Sequence, residues 1–176
     1  SLVELNKNND PKAFSAYVHK MFFFYNLYSL FTYTFFFSFS DVLIPFAFGE
    51  QYADNPVYTK EMFLTVLVFP TVLLQANVLV AIHKEKQDMW LNILSLFINV
   101  AVCLIGLYFY RSLSVVNYAI FSSFLVFHIC QDYLIVKYGI STVKQVLQFY
   151  IVTGVAVAVY VLAHQFLYPP AVFILF

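Results

Sequence analysis

Of the 176 residues, 62% are hydrophobic and 10% are charged, with 22 Phe and 14 Tyr, whereas soluble domains run at about 45–50% apolar and about 25% charged. A soluble chain of this size has no way to hide so much apolar surface, because roughly a third of its surface stays exposed, so the solvent that suits this sequence is lipid. The formal net charge is zero, which leaves no basic footprint and excludes nucleic acid as a partner.

Residues 1–20 are polar and carry a helix start. Asp10 is a capping residue, Pro11 fits a first turn, and Phe14, Tyr17, Val18 and Met21 recur at helical spacing. This pattern predicts an amphipathic lead-in lying on the cytoplasmic face of a membrane and feeding the first span; a solvated loop is the alternative. A spanning helix needs about 20 apolar residues. Runs at 21–48, 62–82, 89–110, 114–136 and 145–167 meet that length, and a sixth begins at 169–176, where the sequence breaks off. The chain is therefore expected to be a piece of a longer protein. Barrel strands would be about 9–11 residues long with strict alternation, which these runs are not. The predicted fold class is all-α, a polytopic transmembrane helix bundle. Cys103 and Cys130 lie inside apolar runs and read as small packing residues.

The connections set an orientation. Lys7, Lys12 and Lys20 precede the first span, Lys84 and Lys86 follow the second, and Lys137 and Lys144 follow the fourth. The opposite side has Lys60 and Arg111 alone. An excess of positive charge marks the cytoplasmic side, so the segment "GEQYADNPVYTKE" is expected outside.

Polar side chains inside spans are costly unless they face protein or water. The second span carries Thr71 and Gln75 on one face, then Asn77, with Pro70 ahead of them as an expected kink. The third carries Asn92, Ser95 and Asn99 at i, i+3, i+7. Neutral donors and acceptors of this kind suit a cavity for a hydroxyl-rich ligand; they equally serve as hydrogen-bonding glue between helices. The fourth span carries His128, Gln131 and Asp132. His128 and Asp132 share a face and are candidates for proton or ion coupling, but the expected arrangement is a boundary salt bridge from Asp132 to Lys137. Asp41, near the outer end of the first span, faces either a cavity or the interface. Tyr108, Tyr110, Tyr133 and Tyr138, near span ends, fit an aromatic belt.

No catalytic constellation is present. The chain has no Gly-rich phosphate loop, and His19, His83, His128 and His164 are too scattered to form a metal set. Neither an enzymatic activity, a metal nor a cofactor is expected.

Three segments carry a resemblance. "SLVELNKNNDPKAFSAYVHK" resembles a cytoplasmic loop followed by an amphipathic helix. "DVLIPFAFGEQYADN" is similar to a "pii-x-llFG-x-x-Y" signature at the outer end of a span. "LLQANVLVAIHKEKQDMWLNILSLFINVAVCLIGLYFY" resembles the hairpin that follows. In order and topology they resemble the C-terminal half of a Wzx-type polysaccharide flippase, of the multidrug/oligosaccharidyl-lipid/polysaccharide exporter superfamily. The likeness covers residues 1–110; further on, "YRSLSVVNYAIF" stands where the family often has a turn with Gly-Ala-Ala. The resemblance implies a MATE-like lobe whose partner is a missing N-terminal lobe of the same protein. It implies a bacterial inner-membrane carrier moving an undecaprenyl-pyrophosphate-linked oligosaccharide, with membrane lipid as its other partner. Gln75, Asn77, Asn92, Asn99 and Asp41 would be cavity candidates, and His128 and Asp132 the coupling pair. The cations that a pyrophosphate needs are absent from these spans and are expected in the missing half. The alternatives are a multidrug or cation antiporter of the same superfamily, and a membrane O-antigen polymerase or acyltransferase.

Overall fold

A computed structural model of the protein describes residues 11–52 and 56–166. The sixth apolar run, the capping residue Asp10 and the rest of residues 1–10 lie outside them. Among the described residues all regular structure is helical: α1 (Pro11–Phe48), a 3₁₀ turn (Glu50–Tyr52), α2 (Pro56–Met62), a second 3₁₀ turn (Phe63–Leu67), α3 (Phe69–Ala81), α4 (Glu85–Phe109), α5 (Leu113–Lys137) and α6 (Val143–Phe166). Five helical segments are long and apolar enough to cross a membrane: α1, the run from Pro56 to Ala81, α4, α5 and Val143–His164. The described residues form an all-α bundle with five helices that could span a membrane.

α1 runs without a break through the expected lead-in and the first span, and its 38 residues at about 1.5 Å each give roughly 57 Å, well beyond a hydrocarbon core of about 30 Å. Part of the apolar stripe at its start packs on protein. Phe14 and Val18 are buried against Leu74, Val78, Ala81, Ile135 and Ile140. Ser15 Oγ donates to the Ile140 carbonyl at 2.7 Å. The stripe is legible in the sequence, but the surface that covers it is tertiary.

The second span is also not a single kinked helix. The α-helical ladder gives way to the 3₁₀ turn at 63–67 and restarts at Phe69, with Pro70 in the first turn of α3. Pro lacks an N–H and disfavours helical geometry in the residue before it, so the break falls ahead of Pro70 rather than at it. Thr71 Oγ1 lies 2.8 Å from the Val68 carbonyl, which also accepts from Val72 N at 3.0 Å.

Elsewhere the termini follow local rules. Gly49, at φ +99°, ends α1 as only a glycine does easily. His83 takes the left-handed position in the α3–α4 turn, a role in which His is enriched. Thr142 and Gln145 form a reciprocal capping box at the start of α6, with Thr142 N donating to Gln145 Oε1 at 2.8 Å and Gln145 N to Thr142 Oγ1 at 3.3 Å.

The tightest helix pair is α4 with α5. A Cβ placed on Gly106 would stand 2.5 Å from Val115 Cγ1, so glycine sets how close the two backbones come. Ser95 Oγ donates to the Ser123 carbonyl at 2.9 Å. Small residues and hydroxyls at a contact are the usual means of joining helices in lipid, where apolar surface gives no preference for protein over chain tails.

Candidate functional site

The α3–α5 contact carries the main polar cluster. Thr71 and Gln75 are one turn apart on α3, and His128 and Asp132 are one turn apart on α5; all four are buried. Thr71 Oγ1 lies 2.9 Å from His128 Nε2, and Gln75 Nε2 donates to Asp132 Oδ1 at 2.5 Å. Both pairs have a sequence separation of 57. A constant offset requires α3 and α5 to run parallel, as the second and fourth spans of an up-and-down bundle do.

From α6, Tyr150 closes the cluster. Its hydroxyl donates to Asp132 Oδ2 at 2.7 Å and lies 2.5 Å from His128 Nδ1. His128 Nδ1 is itself 3.0 Å from Asp132 Oδ2. The His128 ring stacks on Phe149 at 5.2 Å and 21°. Asp132 thus takes its partners from α3, α5 and α6, and the expected boundary pair with Lys137 is not formed. The physical reason is direction: five residues further along the same helix, Lys137 stands about 140° round from Asp132 and is exposed, while Asp132 is 6% exposed and faces the bundle. The buried oxygens Gln75 Oε1 and Gln131 Oε1 have no hydrogen-bond partner in this arrangement, which is uncommon for buried amides.

Two cavities flank the cluster. The larger, 440 Å³, lies between α1, α5 and α6 and is bordered by His19, Asn26, Gln145, Gln148 and Phe149, with Asp132 among its walls. The smaller, 230 Å³, lies between α5 and α6 and is bordered by Asp132, Tyr133, Val146 and Tyr150. Asp132 and Val146 line both. No Lys or Arg borders either cavity.

The candidates read from the sequence divide. Gln75, His128 and Asp132 come together at the centre. Asn77 is exposed on the far side of α3, as expected for a residue about 200° round the helix from Gln75. Asn92 is exposed at the edge of α4. Asn99 is half-buried and donates to Ser123 Oγ at 3.4 Å, so together with Ser95 it joins helices. Asp41 is exposed at the far end of α1 and pairs with Lys60 at 2.8 Å, tying α1 to α2. None of Gln75, Asn77, Asn92, Asn99 or Asp41 borders the two cavities described above.

Sequence reasoning passed over Tyr150, Asn26 and Gln148. A signal for Tyr150 was available: it sits within an apolar run rather than at its end, and a buried tyrosine hydroxyl generally has a partner. Asn26 was legible as an amide inside a span; its Oδ1 accepts from Thr153 Oγ1 at 3.0 Å. The belt residue Tyr138 has a definite partner too, donating to Gln87 Oε1 at 2.7 Å.

No protein-family model, curated protein or solved structure matches the chain. What stands, among the described residues, is a membrane-like apolar bundle of five long helices with a buried polar cluster. Among the described residues no group of His, Cys, Asp and Glu is arranged to hold a metal ion.

Proposed function

We propose that this chain is part of a multi-pass carrier of the bacterial inner membrane that moves a polyprenyl-pyrophosphate-linked oligosaccharide between leaflets. The observation that supports this reading best is the 440 Å³ cavity. Its hydrogen-bonding groups are mostly uncharged amides and a hydroxyl: Asn26, Gln145, Gln148 and Ser141. A sugar presents many hydroxyls and no charge, and neutral donors and acceptors match it. The rings of Phe22, Phe23 and Phe149 add flat apolar faces of the kind that line ligand pockets. The lipid tail would stay in the bilayer while the head group crosses, and a second lobe would rock against this one. In this reading the cavity wall is made by α1, α5 and α6, with Asp132 kept from the residues expected there. The pyrophosphate would be held by cations outside these residues, since no Lys or Arg borders the cavity.

One observation favours a second reading. The carboxylate in the cavity wall is Asp132, which suits an antiporter that exchanges a cationic drug for protons. A single strain separates the two. Deletion of the gene in its own host should leave the lipid-linked oligosaccharide on the inner leaflet and strip glycan from the surface. Full-length protein should restore it, and Gln148→Ala or Asn26→Ala should restore it severalfold less well. Intact surface glycan together with new sensitivity to cationic drugs would sink the flippase reading and support the antiporter.

A further inference from the structure

A lipid-linked ligand sets a geometric condition on its carrier. The head group is polar and needs hydrogen-bonding partners at every depth, while the chain attached to it stays in hydrocarbon. Its path must therefore be polar inside and open to the bilayer along one edge. The contact between α1 and α6 meets both conditions.

These two helices are joined by the tips of side chains over most of their shared length. His19 Nε2 lies 3.2 Å from Ser141 Oγ in the turn ahead of α6. Thr153 Oγ1 donates to Asn26 Oδ1 at 3.0 Å. The Tyr160 hydroxyl donates to the Thr34 carbonyl at 2.8 Å and meets Ser38 Oγ. The sequence separations of these pairs lie between 122 and 127, so the helices run parallel and in step. On α6, Phe149, Thr153, Tyr160 and His164 recur at whole turns and form one stripe. The seam starts at the larger cavity, which Asn26 and Phe149 border. It ends where the His164 ring stands edge-on to Phe37 at 5.1 Å. Between these ends its polar side chains are hydroxyls, an amide and an imidazole.

Glue between helices is an incomplete account of this contact. Glue lets backbones close, as Gly106 does for α4 and α5. The backbones of α1 and α6 stand further apart than those two, and a fully buried tyrosine, Tyr160, fills the gap. At the far end His164 Nε2 is buried with no hydrogen-bond partner, so the seam holds more polar capacity than the helices spend on each other. One edge of it is apolar and open. Phe23, Leu27 and Phe31 on α1 and Val152, Val155 and Val159 on α6 are exposed. The α1 row follows its inward stripe by about 100° and the α6 row precedes its own by as much. For two parallel helices facing each other, that puts both rows on the same edge.

We propose that the α1–α6 seam is the path by which the head group leaves the larger cavity, with its lipid chain riding along the apolar edge. The Asn26–Thr153 and Tyr160 contacts are two bars across that path. Each parts as the head group reaches it, and sugar hydroxyls take up the hydrogen bonds that the bar gives up. α6 is the helix that yields, because it is less buried than α1. The route rests on the carrier reading and adds to it where the ligand travels.

The test uses full-length protein in the deletion strain, with Cys103 and Cys130 replaced by serine. Leu27→Cys with Val155→Cys puts one thiol on each side of the open edge, at exposed positions outside both cavities. A flexible, reducible bis-thiosulfonate spacer joins them. Bridged cells should stop adding glycan to their surface and should recover on reduction. The same spacer between Val102→Cys and Tyr118→Cys, exposed positions of α4 and α5, should leave glycan export as it was. A second measurement separates passage from mere movement of α6. Val157→Cys lies half-buried in the seam and Ala158→Cys on the exposed side. In spheroplasts a membrane-impermeant thiol reagent should label the first severalfold faster than the second. Undiminished glycan with the Leu27–Val155 bridge in place overturns the proposal. So does loss of glycan with the Val102–Tyr118 bridge, and so does equal labelling of the two seam cysteines. Those results leave the carrier reading standing; that reading fails instead if deletion itself leaves surface glycan intact.

Discussion

α5 meets two neighbours in two different ways. Toward α4 it is closed. Gly106 brings the backbones together, Ser95 and Asn99 spend their hydrogen bonds on Ser123, and no described cavity opens between the two helices. Toward α6 it is open. Asp132, His128 and Tyr150 meet across a gap flanked by two cavities, and Gln75 Oε1 nearby is buried without a partner. The first contact is made by Ser and Asn, the second by Asp, His and Tyr. Small neighbours let the helices close round the short hydroxyls and amide of the first, whereas the larger groups of the second leave cavities beside them.

The largest expected effect comes from forcing the closed contact apart. Gly106→Leu should lower stability by about 1–3 kcal/mol, since Val115 is stiff and cannot turn away. Gly154→Leu on α6 meets open space and should change stability by less than about 0.5 kcal/mol. Thermal melting of both variants in detergent checks the pair, and equal losses would erase the distinction drawn between the two faces of α5.

A middle-sized effect sharpens the same contrast. Ser123→Ala removes the side-chain partner of Asn99 and should cost about 0.6 kcal/mol, the usual size of such a bond between spans. Gln148→Ala, on the cavity wall, should melt with the wild type. If Gln148→Ala is the less stable of the two, that wall is part of the packing rather than a binding surface.

The smallest effect lies at the far end of α1. Lys60→Gln breaks the pair with Asp41, whose side chain is 55% exposed, and should cost well under about 1 kcal/mol. A larger loss in a denaturant titration would mean that Lys60 acts mainly through the Phe37 ring beneath it.

Much of this architecture was legible. Long apolar runs separated by short polar turns have one economical meaning in lipid, because only helices satisfy their own backbone. Helical spacing also paired Thr71 with Gln75 and His128 with Asp132. It does not pair Asp132 with Lys137, because five residues along a helix turn the second side chain about 140° from the first. It missed Tyr150 because tyrosine is so frequent here that one in mid-span did not stand out.

The division is clearest at Gln75 and Asn77. Two residues apart on one helix, they must point about 200° away from each other, and that much was in the sequence. Which of them met a carboxylate depended on the parallel seating of α3 against α5. One chain's period fixes directions relative to its own axis. Only packing decides what lies in each direction, and so only the tertiary structure could bring Asp132 to two cavities and leave Asn77 outside.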